Sequence, residues 1–348
     1  MGGLLDIYRK IIPEKQRKAL NEFLAEYNTN RENKCLMERK SFGELNKDKT
    51  FYVVRTDSTQ EWGIARAACM VLNNIEYAQE RGWIPVVDYK NYYLCNSQDE
   101  EDRGKKNAWE EYFEQPDTAY SLEEVYHSRN VVLGPLRGQP VGSVSWNNIE
   151  NLYSEQYNYY FDLTHKYIRL KPEILKEAEA MRERFLEKAA GGKILGMGMR
   201  MGLYWAELTN CKNYSRHPKG VGIDDYIEAA YKYMEEYGCD YLFISCEDRY
   251  GLERMKQEFG DKCFYVEGRS LLRYFDEEGR VITNSEERRF EVEQEKITKR
   301  SVDYMIEVYI LSKCDSLYMA QGGGAILACL MNNKEFENYC CIRKGFME

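Results

Sequence analysis

The sequence is poor in the residues on which several classes of site depend. Its 348 residues include only three histidines, His127, His165 and His217, and no two of them stand at a spacing typical of metal ligands. The eleven cysteines are odd in number and include no C-x-x-C pair, so a disulfide framework is not indicated. We therefore expect reduced cysteines, no bound metal and no other resident cofactor.

Positive charge is also scarce relative to negative charge. The chain has 49 basic and 58 acidic residues and a formal net charge of -9, which disfavours nucleic acid as a partner. It has no run of about 20 uninterrupted apolar residues, the length that spans a bilayer. The N-terminal residues MGGLLDIYRKII lack the apolar core and cleavage site of a signal peptide. These absences predict a cytoplasmic protein without a transmembrane segment, and they leave peripheral contact with a membrane open.

The chain has the composition of a globular protein, with 43% hydrophobic and 31% charged residues, and it is long enough for two domains. The segment FYVVRT predicts a strand, a turn DSTQEWG and a helix ending at Gly82 follow it, and IPVVDY predicts the next strand. Two further helices are expected over residues 149–161 and 172–190. We place a domain boundary at AAGGK, which assigns residues 1–190 to an N-terminal α/β domain with N-terminal helices and residues 191–348 to a C-terminal domain.

The alternation of strands and helices is cleaner after residue 190. The segments GKILGMGMR, CDYLFISCED, KCFYVEG, DSLYMAQ and YCCIR predict strands separated by helices. This pattern is typical of a parallel sheet of the nucleotide-binding type, which binds ligands beyond the carboxyl ends of its strands. Three strand ends carry residues suited to a ligand: Arg200; Glu247 and Asp248; and Gln321, Gly322, Gly323 and Gly324.

Two groups of glycines could approach a phosphate. Gly196, Gly198 and Gly202 nearly form the dinucleotide fingerprint, but the residues LYWAELTNCKNYSRHPKG intervene before helical periodicity resumes at Ile223. The run from Gly322 to Gly324 instead follows a strand and opens a helix directly, so its backbone N–H groups could approach a diphosphate. A tight turn that needs a positive φ is the alternative for this run.

Several of these segments together resemble one family. The strand ending GMGMR, the dipeptide His217-Pro218, the segment FISCED and the run VDYMIEVYILSKCDSLYMAQGGG are similar to the C-terminal half of fucosyltransferases. The group meant contains the α-1,6-fucosyltransferases, the protein O-fucosyltransferases and their relatives in bacterial surface-polysaccharide synthesis. The β-α-β segment near the N-terminus is similar to theirs too, and the resemblance covers residues 51–88 and 193–333.

The resemblance implies a GT-B-like architecture, in which two Rossmann-like α/β domains face a cleft and the C-terminal domain holds the nucleotide sugar. It implies that Arg200 contacts the β-phosphate of the donor, since a guanidinium can stabilise the charge of a leaving diphosphate. An arginine paired with Glu247 or Asp248 is the alternative. Glu247 or Asp248 is also assigned to donor binding and would accept hydrogen bonds from guanine. The alternative role of this carboxylate is that of an ordinary helix N-cap. His217 would shape the wall of the donor site or simply pack within its loop.

The resemblance also implies which residues lie near the acceptor. The turn with Trp62, Gly63 and Arg66 would face the cleft. An inverting transfer needs a base that takes the proton of the acceptor hydroxyl. Glu207 lies near the position of a glutamate in a loop of the α-1,6-fucosyltransferases, and Asp57 at the end of the first strand is its rival.

The sequence departs from the family at three places. Gly198 replaces a histidine, Met201-Gly202 replaces a second basic residue or a Thr-Asp pair, and Gly322 and Gly323 replace serines. We expect an inverting, metal-independent glycosyltransferase that transfers fucose from GDP-fucose to a glycan or lipid-linked oligosaccharide of a bacterial surface polysaccharide. A noncatalytic nucleotide-sugar-binding paralogue, an enzyme for another nucleotide sugar and an NAD-dependent oxidoreductase are the alternatives.

Overall fold

The computed structural model of the protein describes residues 37–56, 63–91, 104–136, 158–212, 217–269, 271–284, 295–342 and 344–347. The strands in these ranges are β1 (Glu38–Lys40), β2 (Phe51–Arg55), β3 (Ile84–Asp88), β4 (Val131–Leu133), β5 (Ile194–Met199), β6 (Tyr241–Cys246), β7 (Cys263–Phe264), β8 (Ser316–Ala320) and β9 (Asn338–Ile342). The α-helices are α1 (Ile64–Gln79), α2 (Leu122–Val125), α3 (Asn158–Tyr167), α4 (Pro172–Ala189), α5 (Met201–Leu208), α6 (Ile223–Tyr237), α7 (Arg249–Phe259), α8 (Glu295–Leu311) and α9 (Gly323–Asn332).

The strands form two sheets. The N-terminal sheet has the order β1-β4-β2-β3, in which β2 pairs in parallel with β3 and β4 while β1 is antiparallel to β4. The C-terminal sheet has the order β7-β6-β5-β8-β9, and all its pairs are parallel. Its central strands β5 and β8 are buried along their whole length, as expected of a parallel sheet covered by helices on both faces. The predicted α/β fold class with two sheets is confirmed.

One continuous apolar core joins the two sheets. Buried side chains of β2 and α1, such as Tyr52 and Ile75, belong to the same cluster as Ile326 and Leu330 of α9 and Phe243 of β6. Helix α1 packs against α9 and also touches α8. The N-terminal and C-terminal sheets are therefore linked by a layer of packed helices.

Helix α4 lies before the domain boundary that we predict at residue 190, but it packs on the C-terminal sheet. The ring of Phe185 stacks on Phe264 at 5.2 Å between centroids and contacts Phe243 at 5.5 Å. The segment AAGGK ends the helix, with Ala190 at φ 50° and Gly191 at φ 89°, and leads directly into β5. By its contacts, α4 belongs with the strands that follow it.

Two helix predictions need correction. The sequence predicts no helix between Arg200 and Ile223, yet α5 begins immediately after Arg200. Its residues are apolar on nearly every side, so it lacks the alternation of polar and apolar faces that reveals a surface helix. The helix expected over residues 149–161 runs over Asn158–Tyr167 in the part that the structure describes. The N-terminal helices fall on residues outside the described ranges.

Replacing Phe185 by alanine should destabilise the protein, because it removes two ring contacts between α4 and the C-terminal sheet. Since the side chain is only half-buried, we expect a loss of about 2 kcal/mol, less than the roughly 3–5 kcal/mol typical of a core phenylalanine. The neighbouring Leu186 is 40% exposed and provides the control Leu186→Ala. Urea denaturation of both variants measures the difference, and equal midpoints would show that α4 does not anchor on this sheet.

Candidate functional site

The predicted strand ends do come together at the carboxyl edge of the C-terminal sheet. The Nη1 atom of Arg200 lies 2.7 Å from the point where a Cβ on Gly322 would stand, and its Nε atom lies 4.0 Å from Oε1 of Glu247. That ion pair is at the limit of a salt bridge, and the Arg200 side chain remains 38% exposed. Its backbone N–H donates to the hydroxyl of Tyr226 at 3.0 Å. Pairing with Glu247 thus leaves much of the guanidinium accessible.

The run of glycines at the start of α9 serves close packing. None of the three has a positive φ, so the turn that would require one is not present. A Cβ on Gly323 would come within 2.9 Å of the Arg66 backbone, and one on Gly324 within 2.0 Å of the Tyr304 hydroxyl. The first N–H groups of any helix have no acceptor within the helix, so these glycines also bring such donors close to Arg200.

The start of α1 reaches the start of α9 from the N-terminal sheet. Gly63 precedes α1 in an extended conformation, and Arg66 in the first turn contacts Gly323 through its backbone. One turn further on, the thiol of Cys69 lies 4.0 Å from the Gly323 carbonyl oxygen. Gly63 and Arg66, predicted for a turn facing the cleft, therefore begin a helix that meets the site. Trp62 and Asp57 lie outside the described residues.

Asp248 caps α7 and is fully buried. Its Oδ1 atom accepts from the Gly251 N–H at 3.0 Å, and its Oδ2 atom accepts from the Tyr274 N–H at 2.7 Å. The backbone of Leu272 pairs with the neighbouring residues Glu247 and Arg249, so the segment from Leu272 to Tyr274 covers the carboxylate. Burial raises the pKa of Asp248 to about 6 although these N–H donors lower it. The N-cap alternative is confirmed for Asp248.

Glu247 is the carboxylate of this pair that stays accessible. Its side chain is 21% exposed and its Oε1 atom accepts from the Gly202 N–H at 3.0 Å. The sequence could not rank Glu247 and Asp248, because adjacent residues at a strand end differ only in the direction of their side chains. The structure turns Asp248 into the protein and Glu247 toward Arg200.

Glu207 and His217 each form a hydrogen bond with the backbone of another segment. Glu207 lies in α5, not in a loop, and seven residues of helix place it about 10 Å along the axis from Arg200. Its Oε2 atom accepts from the Gly220 N–H at 2.9 Å. The carbonyl of His217 accepts from the Met347 N–H at 2.9 Å, and Pro218 pairs with Phe346. The role of Glu207 as the base stays a prediction, and in this structure the side chain holds the Gly220 backbone.

The glycines of the possible dinucleotide fingerprint are explained by neighbouring side chains. A Cβ on Gly196 would meet Leu311 and Cys314, and one on Gly198 would meet Met319 at 2.3 Å. A Cβ on Gly202 would come within 2.9 Å of the Tyr274 ring. Helix α5 does start at this point, contrary to our prediction, but the N–H of Gly202 already donates to Glu247. The glycines serve packing within the protein.

Helix α8 carries a polar face that reasoning from the sequence missed. Arg300, Tyr304 and Glu307 stand at positions i, i+4 and i+7, which share one side of a helix. Glu307 forms an ion pair with Arg269 and accepts from the Ser245 hydroxyl at 2.5 Å. Arg269 also donates to the Cys246 carbonyl at 2.8 Å. The signal was present in VDYMIEVYIL as polar residues at helical spacing in an apolar helix, but nothing in the sequence links this helix to Arg269.

Burial shifts the pKa values of two charged residues on α8, Glu307 and Arg300. Burial raises the pKa of Glu307 to about 7, although Arg269 and Ser245 lower it. Burial lowers the pKa of Arg300, and the like charge of Arg269 acts in the same direction. Arg200, Arg269 and Arg300 are matched in number by the carboxyl groups of Glu247, Asp248 and Glu307. Among the described residues, no three histidine, cysteine or acidic side chains are grouped so that they could hold a metal ion.

The all-parallel sheet defines an α/β protein in which Arg200, Glu247 and Gly322 lie together at the carboxyl ends of β5, β6 and β8, the edge at which such sheets bind ligands. None of the helices described here is both long and apolar enough to cross a membrane.

Comparison with known proteins gives a likeness of fold. No model of a protein family matches the chain, and no curated protein matches it. A solved structure of NodZ α-1,6-fucosyltransferase soaked with GDP-fucose is similar, with a TM-score of 0.45 and 16% identity over 81% of this chain and 92% of that chain. Fucosyltransferase NodZ from Bradyrhizobium has a TM-score of 0.43 and 14% identity over 81% and 93%. A variant of FUT1 from Arabidopsis thaliana in complex with GDP has a TM-score of 0.42 and 9% identity over 88% and 73%.

The raised pKa of Asp248 predicts how its replacement by asparagine changes stability with pH. Because the folded protein binds this proton more tightly than the unfolded chain, the wild type should gain stability relative to Asp248→Asn as the pH falls from above 6 to below 3.8. The gain should approach about 3 kcal/mol. Urea denaturation of both proteins at pH 7, 5.5 and 4 measures it. A difference that does not change with pH would show that the carboxyl group is solvated.

Proposed function

We propose that the protein is an inverting glycosyltransferase that transfers fucose from GDP-fucose to a glycan acceptor of a bacterial surface polysaccharide, without using a metal ion. The observation that carries this proposal is the half-exposed guanidinium of Arg200 beside Gly322 at the start of α9. Arg200 and the positive end of the α9 dipole support a diphosphate as the ligand. The sugar and the base come from the resemblance of the sequence, including the segments around Arg200 and Gly322.

The site suits a leaving diphosphate. Breaking the bond between a sugar and a diphosphate develops negative charge on the phosphate oxygens. Arg200 can donate two hydrogen bonds in the geometry that phosphate oxygens accept, and helix α9 directs the positive end of its dipole to the same place. Because the start of α9 is fixed by packing against Arg66 and Tyr304, its N–H groups need little reorganisation when the charge appears. The arginine and the helix therefore take the role that a divalent cation has in metal-dependent transferases.

Glu247 is our candidate for contact with the nucleotide base. Asp248 is committed to the Gly251 and Tyr274 N–H groups, whereas Glu247 lies at the same strand end with part of its side chain in solvent. A carboxylate can accept from both N1–H and the exocyclic amine of guanine, which adenine and uracil do not offer together. Glu247 would thus favour GDP over ADP or UDP.

Glu207 and Asp57 are the two candidates for the base that acts on the acceptor hydroxyl. Glu207 is held by Gly220 about two helical turns from Arg200. Asp57 follows β2 by two residues in the sequence, and the next described residues, Gly63 and Arg66, lead into the helix that meets Gly323. We therefore propose Asp57 as the group that takes the proton from the acceptor hydroxyl while the sugar is transferred.

Thermal unfolding with a panel of nucleotides tests the class of donor. GDP at a hundred times its dissociation constant should stabilise the protein by about 2.7 kcal/mol and raise the melting temperature by several degrees. UDP, ADP, CMP and NAD at the same concentration are the comparison ligands. A shift with UDP or ADP alone would assign another nucleotide sugar, and a shift with NAD alone would assign an oxidoreductase. Binding of GDP-fucose without transfer or hydrolysis would identify a noncatalytic binding protein.

Replacing Arg200 by alanine should lower transfer by roughly a hundredfold or more, because a fixed donor to the developing charge is lost. The assay follows fucose transfer in the presence of EDTA, and Arg184→Ala on the exposed side of α4 is the matched control. Unchanged melting temperatures would show that both variants are folded. Near-normal turnover of Arg200→Ala, or activity of the wild type that requires added Mg²⁺, would refute the role given to Arg200.

A further inference from the structure

We propose that Tyr226 is a positioning residue for Arg200, because its hydroxyl holds the Arg200 backbone from the first turn of α6. The inference rests on the proposed function for the class of ligand, an anion with phosphate groups. It goes beyond that function by giving a task to a fully buried side chain that a ligand cannot touch.

Arg200 stands at the junction between β5 and α5, where the backbone changes direction. It follows the last residue of β5 and is the N-cap of α5, with φ −122° and ψ 67°. These angles belong to neither a strand nor a helix. An arginine side chain carries only donors, so it cannot cap the N–H groups of the helix that it precedes. The acceptors at this junction must therefore come from other elements.

Two side chains supply these acceptors. The hydroxyl of Tyr226 accepts from the Arg200 N–H at 3.0 Å. Two residues further on, Oε1 of Glu247 accepts from the Gly202 N–H, also at 3.0 Å. The Glu247 side chain is 21% exposed at the end of β6, whereas Tyr226 is fully buried in α6. Water can replace a buried acceptor less easily than an exposed one, so the Tyr226 hydroxyl is the firmer of the two contacts.

Helix α5 is held against the segment before α6 at two further points. A Cβ on Gly220 would come within 2.1 Å of the Cα atom of Tyr204, so the two backbones pack directly against each other. Near the other end of α5, Oε2 of Glu207 accepts from the Gly220 N–H at 2.9 Å. These contacts keep α5 beside the start of α6. The Tyr226 hydroxyl adds a third contact at the end of α5 where Arg200 stands.

The position of this backbone decides where the guanidinium of Arg200 lies. Because the guanidinium is at the end of a long side chain, a small rotation of the backbone displaces it further than the backbone itself moves. Its Nη1 atom lies 2.7 Å from the point where a Cβ on Gly322 would stand, at the start of α9. A binding group must be held within roughly 0.5 Å of its productive position. Loss of the Tyr226 hydroxyl should therefore weaken the binding of an anion through Arg200.

Calorimetric titration of the full chain with inorganic pyrophosphate tests this role. Tyr226→Phe keeps the buried ring and removes the acceptor, so pyrophosphate affinity should fall about fivefold or more. Tyr52→Phe is the matched control, because Tyr52 is equally buried and its hydroxyl also forms a hydrogen bond of 3.0 Å, with Asn74 of α1. The control should lower the melting temperature as Tyr226→Phe does and keep the pyrophosphate affinity of the wild type.

A double-mutant cycle separates positioning from a general loss of structure. In the Arg200→Ala background, Tyr226→Phe should cause no further fall in pyrophosphate affinity, since Tyr226 acts through Arg200. An equal fall in both backgrounds, or the wild-type affinity in Tyr226→Phe alone, overturns the proposal. If Tyr226→Phe does not fold, hydrogen exchange of the wild type decides. Slow exchange of the Arg200 amide supports the role, and exchange as fast as in an unstructured chain refutes it.

The outcomes separate this inference from the proposed function. If the wild type binds pyrophosphate but neither GDP nor GDP-fucose, the proposed donor is wrong, and the cycle still tests whether Tyr226 positions Arg200. If the wild type binds GDP and Tyr226→Phe keeps the wild-type affinity for pyrophosphate, the positioning role is wrong and the donor site stands. If the wild type binds neither pyrophosphate nor any nucleoside diphosphate, both proposals fall.

Discussion

The close approach of α1 to the first turn of α9 is the contact on which the rest of the structure depends. Because Gly323 has no side chain, the backbone of Arg66 can occupy the space where a Cβ atom would stand. Gly324 leaves room for the hydroxyl of Tyr304 in the same way. Behind this contact, the apolar faces of α1, α8 and α9 merge into one core that joins the two sheets. In front of it lie the strand ends that carry Arg200 and Glu247. The same glycines therefore support the core and shape the site.

The division of the charged residues between structure and site follows from the cost of burial. A buried carboxylate must be satisfied by donors, and Asp248 and Glu307 each have them. Those commitments take both groups out of contact with a ligand. The side chains of Arg200 and Glu247 stay 38% and 21% exposed at the same strand ends. The groups left accessible at these strand ends are therefore one guanidinium and one carboxylate.

Part of the site could be predicted from the sequence because parallel strands place their carboxyl ends on one edge of a sheet. That rule alone predicts that Arg200, Glu247 and Gly322 lie close together. The same rule cannot predict the position of Arg269, because the segment after β7 has no periodic pattern from which its course could be inferred. Helix α5 was missed because a helix that is apolar on nearly all sides looks like an irregular apolar segment in the sequence.

The sequence by itself determined the fold class, the alternation of strands and helices in the C-terminal half and the strand ends that carry the site. Those features depend on local periodicity and on glycine, which act over a few residues. Only the tertiary structure decided that Asp248 caps a helix while Glu247 faces Arg200, that α4 packs on the C-terminal sheet, and that Glu307 of α8 pairs with Arg269. These depend on the direction of single side chains and on contacts between segments distant in the chain, which no local pattern encodes.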